Sequence, residues 1–270
     1  MVRLIHEAQV WQILFYRSVA MTPVLFIVIH YRSKNHFLDI LRKAAIPASL
    51  GAVGLVFAFA GGILALQTTT VANAVFLFAT APFFAALLGR IFLSEPVRRA
   101  TWIAIAFASL GMLIMVWGGL AAGRLIGNVA AVFSAVGFAV FTICLRWGKL
   151  EDMLPAVFLG GVLTFFTALL MCNLLNQPLI LSPWDTGVSM FMGAFQLALG
   201  LSIYTFGSKV VSAAELTLLS MTEVLLGPIW VWIFMGELAG IWTVVGGSIL
   251  LASIAGNALT GIRRKPPKIM

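Results

Sequence analysis

The stretch 76–116 reads FLFATAPFFAALLGRIFLSEPVRRATWIAIAFASLGMLIMV. It holds two apolar runs, each near the ~20 residues that a helix needs to cross ~30 Å of hydrocarbon. Only Ser94, Glu95, Pro96 and the basic pair Arg98 and Arg99 interrupt it. The reading is two membrane-spanning helices joined by a tight hairpin.

The rest of the chain follows that pattern. Of 270 residues, 61% are hydrophobic and only 10% charged, against about 25% charged in a soluble domain. The mean hydropathy is +1.07. No globular core hides so much apolar surface, so the bilayer is the expected solvent. Cutting at charges, Pro and Gly gives nine candidate spans, at 10–30, 45–66, 70–92, 98–119, 125–146, 154–175, 185–207, 212–235 and 239–260. The last two meet at Gly236 and Glu237, a second tight hairpin. The expected fold class is an all-α polytopic membrane protein. The first nine residues are polar and mixed, which predicts no cleavable signal peptide.

The net charge of +8 falls in short clusters between apolar runs, as topology signals do, and no aromatic-basic stripe suggests nucleic acid. If the spans alternate, Arg32, Lys34, Arg42, Lys43, Arg90, Arg98, Arg99, Arg146, Lys149, Lys209 and the tail Arg263, Arg264, Lys265 and Lys268 share one side. Only Arg3 and Arg124 fall on the other, with Arg17 inside the first span. The richly basic side is predicted to be cytoplasmic, with the C-terminus on it, in a cell (inner) membrane.

Residues 72–101 align with 214–243 at a constant offset of 142: Ala72 with Ala214, Leu77 with Leu219, Thr80 with Thr222, Glu95 with Glu237 and Thr101 with Thr243. Five spans separate the two hairpins. An odd number places them on opposite faces, as in the inverted repeats of secondary transporters. The units would be 1–120 with four helices and 121–270 with five.

On the residues of 76–116 and of 213–259, AAELTLLSMTEVLLGPIWVWIFMGELAGIWTVVGGSILLASIAGNAL, the chain resembles the EamA-type exporters of the drug/metabolite transporter superfamily. The resemblance covers nearly the whole chain. It implies ten helices in two inverted five-helix units around a cavity that opens alternately to each side. It also implies export of small metabolites such as amino acids or amphipathic drugs. Against that pattern the first helix is missing. Repeat parity and the side of the N-terminus both predict a further span ahead of residue 1, with a start-site artefact as the expected reason.

Ionisable groups at membrane depth cost about 2.5–3.5 kcal/mol on insertion scales, so each calls for a role. Glu223 lies mid-span in the eighth segment, and Glu215 two turns before it on roughly the same face. The two are candidates for an acidic path that binds an amino group or carries a proton, or else for structural carboxylates. Arg17 is the one basic residue well inside a span, fit to meet a substrate carboxylate or to pair within the protein. Asn73, Thr80, Gln67 and Gln196 bind substrate or link helices, and Tyr204 is a candidate cavity hydroxyl. Glu95 and Glu237 read as hairpin caps. Pro82 and Pro228 interrupt their helices. Small residues four apart, at Gly54, Ala58 and Gly62 and at Gly127, Ala131, Ala135 and Ala139, allow close helix approach. Cys144 and Cys172 read as packing residues.

Enzyme classes lack their motifs. His6 and Glu7 are followed by Ala8, Gln9 and Val10, so HExxH is absent, and no His lies beyond residue 36. Asp39, Asp152 and Asp185 fall in predicted loops, and no nucleotide-binding lysine loop is present. No cofactor or metal is expected. The expected partners are a small-molecule substrate and the lipid bilayer; the sequence sets no oligomeric state.

Overall fold

The computed structural model describes residues 1–33, 45–94, 96–121, 123–147, 154–207, 226, 229–234, 236 and 238–262. After a short turn at Val2–Leu4 come α1 (Val10–Ser33), α2 (Ala45–Thr68), α3 (Val71–Phe78), α4 (Ala81–Phe92), α5 (Arg99–Ala121), α6 (Leu125–Trp147), α7 (Leu154–Leu174) and α8 (Pro183–Phe191). A π-helical segment, Met192–Leu199, then leads into α9 (Gly200–Gly207), and α10 is Ile241–Ile262. No strand occurs among the described residues.

Among those residues, eight helices are long and apolar enough to cross a membrane. They correspond to the first seven and the ninth predicted spans. The predicted eighth span, with Glu215, Glu223 and Pro228, lies mostly outside the described residues, as do Glu95 and Glu237. Phe57, Phe133, Phe166 and Leu113 are each at least 60% exposed. On helices of this length and apolarity, such a surface fits contact with lipid.

Two spans are not plain α-helices. The third divides into α3 and α4 because Pro82 has no N–H for the preceding turn. The Thr80 hydroxyl donates to the Leu77 carbonyl at 2.5 Å, satisfying one group at the break. The seventh widens into π-helical turns between α8 and α9, a geometry frequent at functional sites.

Helix α6 packs along α2 and also touches α3, α4 and α5; α1 packs on α7, α8 and the π segment; α10 pairs with α5. The small-residue faces explain the first pairing. A Cβ on Gly54 would sit 2.7 Å from the Gly137 carbonyl, and one on Gly61 2.7 Å from the Ala130 carbonyl. Ser134 adds a hydroxyl bond to the Ala58 carbonyl at 2.6 Å. Gly111 and Gly246 meet in the same way between α5 and α10. Cys144 and Cys172 are free and buried.

Candidate functional site

Arg17 lies on α1 and is buried, 9% exposed. It does not snorkel outward. Its guanidinium carbon stands 5.2 Å from the centre of the Phe59 ring on α2, a contact of ~0.5–2 kcal/mol. Its Nε has no hydrogen-bond partner among the described residues. The same holds for Thr22 Oγ1, five residues further along α1, and for Ser189 Oγ on α8. Of the nine acidic residues, only Glu7 and Asp185 are described, and Asp185 is committed elsewhere. Buried polar atoms left unpaired cost about 1–3 kcal/mol each. The bundle therefore holds a cation and two hydroxyls with unspent bonding capacity: Arg17 against Phe59 of α2, Thr22 beside Gly161 of α7, and Ser189 on α8.

Backbone geometry fixes the place of Arg17. A Cβ on Gly193, in the π segment, would lie 2.1 Å from the Arg17 carbonyl oxygen. Only glycine lets the two helices cross there. Gln196, three residues on, is exposed. Tyr204 lies in α9, and its side chain is outside the described part, as are Glu215 and Glu223.

Asn73 is placed differently. It sits in a buried junction of four helices near one end of the bundle. The Thr243 hydroxyl of α10 donates to Asn73 Oδ1. Asn73 Nδ2 donates to Asn128 Oδ1 of α6 at 3.1 Å, and the Thr69 hydroxyl donates to the same oxygen at 2.6 Å. Asn128 Nδ2 in turn reaches the Met115 carbonyl of α5 at 3.2 Å. Asn73 thus links helices, one of its two expected roles. Thr80, fully buried, serves the α3–α4 break.

Sequence reasoning missed Asp185. Expected in a loop, it lies in the first turn of α8 and is fully buried. Pro183 at the helix start and Ser182, whose hydroxyl accepts from the Asp185 N–H at 3.1 Å, set that turn. Asp185 Oδ1 accepts the His6 N–H at 3.1 Å; Oδ2 accepts those of Glu7 at 3.0 Å and Ala8 at 3.1 Å. Residues 1–9 therefore form a strap over this end of the bundle. Arg3 Nη2 donates to the Thr69 carbonyl at 2.6 Å, and Gln67 Nε2 to the Ala8 carbonyl at 2.9 Å. Trp184 Nε1 donates to the Leu4 carbonyl at 2.9 Å. The strap joins the α2–α3 turn to α8. The serine and proline just before Asp185 are the helix-start signal that was available.

Above the Asn73 junction opens a polar cavity of about 410 Å³, lined by Arg3, the 67–70 turn and Arg124. Beside it an apolar cavity of about 330 Å³ is lined by Ala72, Val231, Trp232 and Val244.

Comparison with known proteins agrees with this architecture. Residues 1–117 match the EamA-like transporter family. The pseudopaline exporter CntI of Pseudomonas aeruginosa is 24% identical over 250 residues, covering 90% of this chain and 84% of that protein. A protein of known crystal structure shares the fold with a TM-score of 0.62 at 18% identity, over 95% of this chain and 90% of that one. The chain is thus a multi-pass membrane protein that matches the EamA-like transporter family over residues 1–117, as the resemblance read from 76–116 and 213–259 implies.

Proposed function

We propose that this protein is a secondary-active exporter of small metabolites bearing a carboxylate, amino acids among them, working by alternating access between two inverted units, 1–120 and 121–270. The observation that carries the reading is Arg17: a buried guanidinium against Phe59, its Nε unpartnered among the described residues, at the tight crossing of α1 and the π segment. A guanidinium at depth is costly unless it meets an anion, and its planar fork matches a carboxylate. The similarity to an exporter of pseudopaline supports outward transport. Glu223 and Glu215 are the candidates for proton coupling, and Gln196 and Tyr204 for further substrate contacts. The basic side, with the C-terminus, is taken as the cytoplasmic face of an inner membrane.

The test is whole-cell efflux of a panel of amino acids and related carboxylates, comparing this chain, its Arg17→Gln and Arg17→Lys variants and an empty vector. One carboxylate class is expected to fall inside cells making the chain, with Gln losing the effect and Lys keeping part of it. Unchanged levels despite confirmed membrane expression would point to a non-transporting structural or regulatory protein. Full activity of Arg17→Gln would remove the assigned role.

A further inference from the structure

Residues 1–9 combine a polar fastening through their backbone with apolar side chains turned inward. Val2 is 7% exposed and Ala8 5%. Both pack in one cluster with Ile13 of α1, Ile63 of α2, Ala168 of α7 and Met192 of the π segment. Ile5 and Phe59 lie against the same cluster. The cluster runs inward to the depth of Arg17. Phe59 is the ring beside the Arg17 guanidinium, and Met192 precedes Gly193, whose backbone rests on the Arg17 carbonyl. An apolar plug therefore separates Arg17 from the sparsely basic face, and the strap is its cap. A packed apolar region excludes water and opposes the passage of a charged group.

The cap is fastened to two different elements. On one side Asp185 of α8 accepts the N–H groups of His6, Glu7 and Ala8, and Trp184 donates to the Leu4 carbonyl. On the other side the α2–α3 turn is tied by Gln67 to the Ala8 carbonyl and by Arg3 to the Thr69 carbonyl. Ala8 joins both sides: its N–H goes to Asp185 and its carbonyl takes the Gln67 amide. Helix α1 is itself tied to the segment ahead of α8. Gln12 Nε2 donates to the Pro178 carbonyl at 2.6 Å, and the Tyr16 hydroxyl donates to the Leu179 carbonyl at 2.6 Å. The strap is thus the piece that bridges from α1 and α8 to the α2–α3 turn across the end of the plug.

We infer that the strap is the outer gate of the transport path: docked, it seals the plug above Arg17, and undocked, it opens the plug to the outer solution. The inference deepens the alternating-access reading and rests on it for what passes, namely the solute that leaves Arg17. The polar cavity of about 410 Å³ beside Arg3 and the 67–70 turn gives the cap an adjoining space.

The experiment uses the full chain in sealed membrane vesicles, with Cys144 and Cys172 replaced by Ser. Single reporters are Ile63→Cys on one wall of the plug and Met192→Cys on the other. The probe is the membrane-impermeant sulfonatoethyl methanethiosulfonate, applied from the strap face or from the opposite face. Its reaction rate follows the open population. Adding Asp185→Asn is expected to raise both rates at least about tenfold, from the strap face only. Gln67→Met, which removes one bond from the other fastening, is expected to raise them several-fold and carries the test if Asp185→Asn fails to reach the membrane. A faster reaction at Ala8→Cys with no change at Ile63→Cys and Met192→Cys would mean a strap that docks without sealing, and would overturn the gate. So would an equal rise from both faces, which marks a loosened bundle. Labelling needs no substrate: if the gate fails here, the Arg17 export reading still stands on efflux, and if efflux fails, the labelling result is unchanged.

Discussion

Replacing Asp185 by Asn is expected to release the N-terminal strap while leaving the helix bundle folded. The carboxylate accepts three backbone N–H groups at 3.0–3.1 Å, two on Oδ2 and one on Oδ1. An amide turned to keep its oxygen in the Oδ2 position retains the Glu7 and Ala8 bonds. It then points an NH2 group at the His6 N–H, donor against donor. One hydrogen bond to a charged group is lost, worth about 1.5–3 kcal/mol, and two others weaken to neutral strength. The sum is roughly 2–4 kcal/mol of strap docking, or about a thirtyfold to several-hundredfold gain in the undocked population. Ala8 reports it well, being 5% exposed in the docked strap. An Ala8→Cys variant, made with Cys144 and Cys172 replaced by Ser, is treated with a membrane-impermeant maleimide. Its labelling rate should rise by that factor when Asp185→Asn is added, because reaction through a local opening tracks the open population. Equal rates in the two backgrounds would refute the view that this carboxylate holds the strap.

Gly193→Ala should lower the stability of the protein in detergent by about 1–3 kcal/mol, as overpacking does, because the new methyl would lie 2.1 Å from the Arg17 carbonyl oxygen. Gly187→Ala, with nothing within 4 Å, is the control and should be neutral or slightly stabilising in thermal unfolding. Asn128→Ala strips partners from the Thr69 hydroxyl, the Asn73 amide and the Met115 carbonyl; a loss of roughly 2–4 kcal/mol is expected in the same assay. Glu223→Gln should abolish transport driven by a pH gradient if Glu223 carries the proton, while leaving exchange in the absence of a gradient; full gradient-driven activity would exclude that role.

Helices were legible where composition alone decides them. The apolar runs gave the first seven and the ninth spans within a few residues, because a bilayer sets a length that sequence must meet. The close face of α2 at Gly54 and Ala58 was legible for a similar reason, since small residues four apart have one geometric use between packed helices. Its partners on α6, Gly137 and Ala130, fall outside the row read at Gly127, Ala131, Ala135 and Ala139. Pro82 announced the α3–α4 break. The site was less readable. Arg17 was conspicuous as a charge at depth, but nothing in sequence said that Phe59 would lie against it. Asn73 carried equal signals for binding and linking, and only the positions of Asn128 and Thr243, 55 and 170 residues away, separate the two. Asp185 reads as loop although Ser182 and Pro183 just before it are a helix-start signal; what the sequence does not carry is the strap N–H groups of His6, Glu7 and Ala8 that it accepts. The π segment left no trace, since its residues, MGAFQLAL, suit an α-helix as well.

The glycine contact between α2 and α6 has a mechanical consequence. Backbone rests on backbone there, with Gly54 against Gly137 and Gly61 against Ala130. No rotamer can shift to create slack, so the pair behaves as one lever. One arm, α2, belongs to the first half of the chain, and the other, α6, to the second. Any rocking motion must pivot about this spine rather than through it.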